Sequence, residues 1–177
     1  MLSAAKHGQL YQIQKKSSQV GFCVDSKLAT IKGKFTEFEG GITLSPEANS
    51  NGKAMILIQA KSLDTENGLI STIIKSEQFF DVKNHPEVLF VSRGFKWTGR
   101  DTAILQGDLT LRGVTRRVTF NVLLSVLENH PAAQAQKILV KATTVLNRTE
   151  FGMKTLPVLV NKEVKLCLSV EALRYSS

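Results

Sequence analysis

Apolar and polar residues alternate at period two along most of this chain, and a single stretch breaks the rhythm. Residues 10–14 predict a first short strand; Val20, Phe22 and Val24 share one face of a second, with Cys23 on the other. Phe35 and Phe38 bracket Thr36 and Glu37, and the Gly40-Gly41 pair predicts a bend or bulge before Ile42 and Leu44 resume the pattern. A turn-rich connection over 46–52 follows, with Asn51-Gly52 its strongest signal. Ala54, Ile56, Ile58 and Ala60 then oppose Met55, Leu57, Gln59 and Lys61. Val88, Phe90 and Ser92 begin a further strand, which Phe95 and Trp97 carry to a turn at Gly99-Arg100. Leu105, Gly107, Leu109 and Leu111 share the next face, where Gly107 marks curvature or a close approach. After a turn at Gly113, Val118, Phe120, Val122, Leu124 and Val126 give the clearest strand. A loop over 129–136 leads to Ile138 and Val140, and Val164, Leu166, Leu168 and Val170 complete the series.

The exception is the stretch 65–80, where Leu69, Ile70, Ile73 and Ile74 recur at helical spacing and Thr65 or Asn67 supplies a cap. Two roles fit this helix equally: a plug or lid over one end of a barrel, or a helix that closes the core. Eight or nine strands with one or two short helices exclude a helical bundle. Closure of the strands into a barrel would remove exposed edges and leave room for an elongated ligand.

Composition sharpens this reading. The chain has 177 residues, of which 42% are hydrophobic, enough for one domain with a substantial core or a lined cavity. Phe 9 against Tyr 2 and Trp 1 suits an apolar interior better than a surface for stacking bases. Lys and Arg total 23 against 15 for Asp and Glu, so the formal charge is +8. That sign fits an ordinary solvated basic surface, an anionic membrane or, last, nucleic acid. The densest basic group is Arg112, Arg116 and Arg117 around a turn, with Lys32 and Lys34 in a loop or strand end.

The first ten residues hold Lys6 and His7 and no apolar core of signal-peptide length. No segment reaches the roughly 18 apolar residues of a spanning helix, so membrane association is expected to be peripheral. A cytoplasmic protein and a mature form whose leader was removed both satisfy this. Cys23 and Cys167 are expected as free thiols, although the ends of a barrel can adjoin and make a disulfide sterically conceivable.

No catalytic motif, metal-ligand spacing or cofactor loop stands in the chain, and His7, His85 and His130 are isolated in turns or loops. Asp108, Arg148 and Glu150 are weak candidates for an acid-base site. Asn147-Arg148-Thr149 matches a glycosylation acceptor, and Arg148 and Glu150 are expected to pair across a turn, fixing an entry loop or meeting a ligand head group.

The segments Gly33-Lys34-Phe35, Phe38-Glu39-Gly40, Ser76-Glu77-Gln78-Phe79-Phe80-Asp81, His85-Pro86, Gly107-Asp108-Leu109-Thr110-Leu111-Arg112-Gly113-Val114-Thr115 and Asn147-Arg148-Thr149-Glu150-Phe151-Gly152 carry a resemblance. In this order they make the chain similar to the YceI-like, polyisoprenoid-binding family from about Tyr11 to Val170. The resemblance implies an all-β fold, an extended eight-stranded antiparallel lipocalin-like barrel with one or two short helices, as a single domain over 9–173. It implies a non-catalytic protein that binds and transports or stores a long isoprenoid lipid, an isoprenoid quinone or a prenyl phosphate, often in a bacterial periplasm. The family's Arg-Asp-any-His-Leu stretch aligns with Ile70-Ser71-Thr72-Ile73-Ile74, so its polar residues are replaced and the helix face is more apolar. A ligand with a less demanding head group, or one held mainly by its tail, is expected.

Candidate wall residues are Val20, Phe22, Phe35, Phe38, Ile56, Ile58, Phe80, Phe90, Phe120, Val122, Phe151, Leu166 and Leu168, with Leu69, Ile73 and Ile74 covering part of the tail. No metal, cofactor or nucleic acid is expected. A peripheral contact with an anionic membrane is, and the oligomeric state, a homodimer included, is open. Two rival readings stand beside this one: an enzyme acting on a lipid-like substrate, and a filled barrel whose basic exterior binds an acidic partner.

Overall fold

Strand segments pair antiparallel throughout a computed structural model of the chain, which describes residues 9–44, 52–126, 135–156 and 160–175. In chain order they are β1 (Gln9–Ile13), β2 (Gln19–Ser26), β3 (Thr30–Phe35), β4 (Phe38–Leu44), β5 (Lys53–Gln59), β6 (Leu63–Thr65), β7 (Glu87–Trp97), β8 (Thr102–Leu111), β9 (Val114–Val126), β10 (Lys137–Asn147) and β11 (Val160–Arg174). One α-helix among the described residues, α1 (Gly68–Lys75), lies between β6 and β7.

The eleven segments make eight barrel strands, because three strands are each broken once. A 3-10 turn at Lys15–Ser17 divides β1 from β2, Thr36 and Glu37 divide β3 from β4, and a 3-10 turn at Ala60–Ser62 divides β5 from β6. The breaks lie side by side. Ser62 Oγ accepts the backbone N–H of Thr36 (3.2 Å) and of Glu37 (3.0 Å), and Lys15 pairs with Glu37 at 2.9 Å. Closure comes from β11, whose one edge pairs with β1 through Ile13↔Ala172 and with β2 from Ser169↔Gln19 to Val160↔Ser26. The ring closes through β1, β4, β5, β7, β8, β9, β10 and β11, while β6, paired with β3 alone, keeps one unpaired edge in the sheet.

Local sequence accounts for the turns. Leu111 pairs with Val114, and the two residues between them, Arg112 (φ 54) and Gly113 (φ 71), make the left-handed two-residue turn that matches strand twist. Gly107 sits where β7 presses on β8: a Cβ there would stand 2.5 Å from the Val91 carbonyl oxygen. Gly40 and Gly41 lie inside continuous β4, so the expected bend falls earlier, at Thr36 and Glu37. Gly40 serves a close approach instead, since its Cβ would meet the Met55 carbonyl at 2.4 Å. The turn expected at Asn51-Gly52 and most of the loop over 129–136 lie outside the described residues.

The short helix expected within the stretch 65–80 spans Gly68–Lys75. Asn67 caps it, its side chain accepting from the N–H of Leu69 (2.9 Å) and of Ile70 (3.2 Å). Thr65 instead bonds Ser71, hydroxyl to hydroxyl, at 2.6 Å. Cys23 and Cys167 are free; in the β2–β11 register Cys23 faces Lys165 and Cys167 faces Gly21, so the two thiols are offset by two residues.

The basic group at the β8–β9 turn is spent on structure. Arg112 donates to the Gly152 carbonyl (2.6 Å) and the Glu77 carbonyl (2.7 Å), and Arg116 to the Glu150 carbonyl (3.3 Å). Arg117 and Arg93 both bond the Asp108 carboxylate. Hydrogen bonds from those two guanidiniums hold the Asp108 carboxyl below its ordinary value. A carboxylate held low stabilises the fold above the unfolded-state value near pH 4, and the contribution is lost as pH falls through that value toward the folded one. Asp108→Asn is therefore expected to lower the melting temperature modestly at pH 7 and by progressively less as pH falls below about 4. Parallel melting curves across that range would contradict the assignment.

Candidate functional site

The inward faces of the eight strands do not meet. Val20, Phe22, Phe35, Ile56, Ile58, Phe90, Phe120, Leu166 and Leu168 enclose a cavity of about 400 Å³, within the range of lipid and cofactor sites. Nearly all of its wall is apolar. Ile70, Ile73 and Ile74 of α1 roof one side, and Phe80 packs below them in a trio with Phe22 and Phe35, ring centroids 5.7 to 5.9 Å apart. Phe90 and Phe120 meet edge to face at 5.2 Å deeper in. The cavity runs out between the β2–β3 tip, α1 and the start of β11, where Leu28, Ile73, Leu156 and Val160 border it.

Every expected wall residue except three borders this cavity. Phe38 is buried in the core beside the strand breaks, and Val122 is buried on β9 without reaching the space. Leu69 stands 71% exposed and does not border this cavity. On a helix of 3.6 residues per turn, Leu69 and Ile70 are about 100° apart, and Leu69 is the outer edge of the stripe. Exposure falls from Leu69 (71%) to Ile73 (44%) to Ile74 (7%) across that arc. A stripe marks an apolar arc; packing decides which edge stays wet.

Arg148 is where the structure departs most from expectation. It makes no pair with Glu150, which is exposed. Arg148 is buried at the cavity end, with Nε donating to the Asn161 carbonyl (2.9 Å), Nη1 to that of Met153, and Nη2 to those of Val160 (2.9 Å) and Leu156 (3.4 Å). Its guanidinium lies 6.0 Å from the centre of the Phe79 ring. Burial pushes the group below the ordinary arginine value. The side chain thus ties Met153, Leu156, Val160 and Asn161 together at one end of the cavity. Asn147 Oδ1 accepts from the Thr149 N–H (3.0 Å) and hydroxyl (2.6 Å), capping the 3-10 turn Arg148–Phe151 that aims Arg148 inward.

The positions that align with the family's polar stretch are occupied locally or are apolar. Ser71 Oγ accepts the Thr65 N–H at 2.9 Å, and the Thr72 hydroxyl donates to the Gly68 carbonyl at 2.9 Å. Asp108, Arg148 and Glu150 are not brought together, so the weak acid-base grouping dissolves. Among the described residues, no group of three or more His, Cys, Asp or Glu side chains could hold a metal ion, and no helix is long and apolar enough to cross a membrane. Phe79, Val140, Ala142 and Met153 also border the cavity and were not singled out by sequence. Val140 had been placed on a strand without a face, and Phe79 precedes a better-patterned neighbour.

Known proteins share this sequence and this architecture. The YceI-like domain matches residues 11–172. A UPF0312 protein of Pseudomonas putida strain W619 is 33% identical over 169 residues, covering 96% of this chain and 84% of that protein. A UPF0312 protein of Pseudomonas aeruginosa strain PAO1 is 29% identical over the same shares. Among solved structures, Burkholderia cenocepacia BcnA superposes with a TM-score of 0.81 at 20% identity, covering 90% of this chain and 98% of that one. A polyisoprenoid binding domain from Saccharophagus degradans gives a TM-score of 0.67 at 13% identity, covering 93% and 98%. At those identities the structural matches speak for the fold.

Proposed function

The chain belongs to the YceI-like family, and from that premise we propose that it binds a long isoprenoid lipid in its barrel cavity and carries or stores it without catalysis. One observation carries the reading: a continuous apolar wall of about 400 Å³ built from eight strands and roofed by α1. A solid interior would suit a filled-barrel interaction protein, and an acid-base pair facing the space would suit an enzyme. The likeness to a polyisoprenoid binding domain from Saccharophagus degradans points the same way.

The head group in this proposal is neutral, a quinone rather than a prenyl phosphate. Arg148 is the charged residue among the described lining residues, and backbone carbonyls already take four of its five N–H donors. A phosphate brought beside it would find one N–H of Nη1 and would have to displace the carbonyls for the bidentate pairing that offsets its desolvation. Tail burial supplies affinity instead, at about 0.8 kcal/mol per methylene before ordering costs. Loading from a bilayer involves peripheral contact with an anionic membrane. The compartment goes with the reading: the periplasm for a mature form relieved of a leader, the cytoplasm otherwise.

Native mass spectrometry of gently purified protein, with accurate-mass identification of what denaturation releases, tests this. A stoichiometric neutral prenyl lipid is expected. Recovery of empty protein from cells rich in such lipids, or exclusive recovery of prenyl phosphates, would overturn the carrier reading or the head-group assignment respectively.

A further inference from the structure

The open end of the cavity combines two features that a folded barrel gains nothing by having. Leu28 is 93% exposed, Leu69 71%, Ile73 44% and Leu156 43%. Leu28, Ile73 and Leu156 also border the cavity, so the exposed apolar surface is continuous with its lining. Leu28 is not there by slack. Ser26 Oγ accepts the N–H of Leu28 (3.3 Å) and of Ala29 (3.0 Å) and donates to the Ala29 carbonyl, which fixes the β2–β3 turn with Leu28 outward. Such tips usually carry small polar residues, and exposed apolar groups clustered at one site mark an interaction surface.

Charge says what kind. Lys27 precedes Leu28, Lys75 follows Ile73 by two residues and Lys154 precedes Leu156 by two, while no carboxylate lies within two residues of any of the four rim side chains. None of the three lysines is in an ion pair with a described residue. A second copy of this chain would bring the same lysines face to face, an unfavourable arrangement. An anionic bilayer is favoured by both features at once, because lysines at the head-group level and apolar side chains below it add in the same geometry.

We propose that this rim docks onto an anionic membrane surface, with Leu28, Leu69, Ile73 and Leu156 entering the boundary between head groups and acyl chains and the cavity mouth facing the bilayer. The inference rests on the lipid-carrier reading for its purpose: a long apolar ligand then passes between bilayer and cavity without crossing water.

The test is co-sedimentation with vesicles of phosphatidylcholine and phosphatidylglycerol in equal parts, against phosphatidylcholine alone. Leu69→Glu and the pair Lys27→Glu with Lys154→Glu are compared with the unaltered chain, since neither variant touches the cavity. Binding to the mixed vesicles, weakened by salt and reduced by about tenfold in each variant, is expected. Absence of vesicle binding, or equal binding by the variants, would overturn the proposal. So would a dimer of the unaltered chain that Leu69→Glu converts to monomer, because the rim would then be a contact between copies. Lipid content of the same preparations separates the two ideas. Protein that carries a prenyl lipid yet ignores vesicles defeats docking alone, and empty protein that binds them defeats the carrier reading alone.

Discussion

Arg148→Met is expected to destabilise the barrel by about 3–5 kcal/mol, a fall in melting temperature of about 10 °C or more for a domain of this size. Methionine fills much of the same space, so the loss is not a cavity effect. It comes from the carbonyls of Met153, Leu156, Val160 and Asn161, which now satisfy one guanidinium and would then share the cavity end with nothing. Arg148→Lys should recover only part of the loss. A single ammonium has its three donors on one atom and cannot span carbonyls that the planar guanidinium reaches from Nε and both Nη atoms. Thermal denaturation of the three proteins checks this. A methionine variant melting within about 2 °C of the wild type would show that the carbonyls find other partners and that Arg148 is not what holds Met153, Leu156, Val160 and Asn161 together.

Ala142→Trp is expected to weaken lipid binding about a hundredfold while leaving the barrel folded. Ala142 is a small side chain on β10, opposite Val122 of β9 and Leu168 of β11, and it borders the cavity. An indole there fills space rather than displacing packed neighbours, so the overpacking cost stays at the low end of about 1–3 kcal/mol. Excluding as few as four methylenes of the ligand removes about 3 kcal/mol of burial, which is about a hundredfold in Kd. The matched control is Leu123→Trp, on the outward face of β9 and 45% exposed, which should bind as the wild type does. Titration with a fluorescent prenyl lipid distinguishes them, and equal affinity for both variants would mean that the ligand does not occupy the space beside Ala142.

The wall of the cavity was largely legible because a strand has only two faces. Once Val20, Phe22 and Val24 alternate with Gly21 and Cys23, closure of the sheet sends one set inward, and the apolar set has the smaller cost of leaving water. The helix was harder, because an arc of Leu69, Ile70, Ile73 and Ile74 can be rotated by some tens of degrees without changing its pattern. Contact with the cavity through Ile70, Ile73 and Ile74 left Leu69 outside. Arg148 was illegible for another reason. A charged residue beside a turn predicts a solvated surface, and only carbonyls drawn from Met153 to Asn161 make its burial affordable.

By itself the sequence determined the all-β class, the positions of most strands, the apolar face of many of them and the family resemblance, since these follow from period-two patterning and short ordered motifs. Tertiary structure decided that three strands break side by side, that the Arg112 and Arg148 guanidiniums donate to backbone carbonyls far along the chain, and that Leu28 and Leu156 reach one rim with α1. The physical reason is range. Patterning records which groups prefer to leave water, whereas hydrogen-bond partners separated by tens of residues exist only after the barrel has closed.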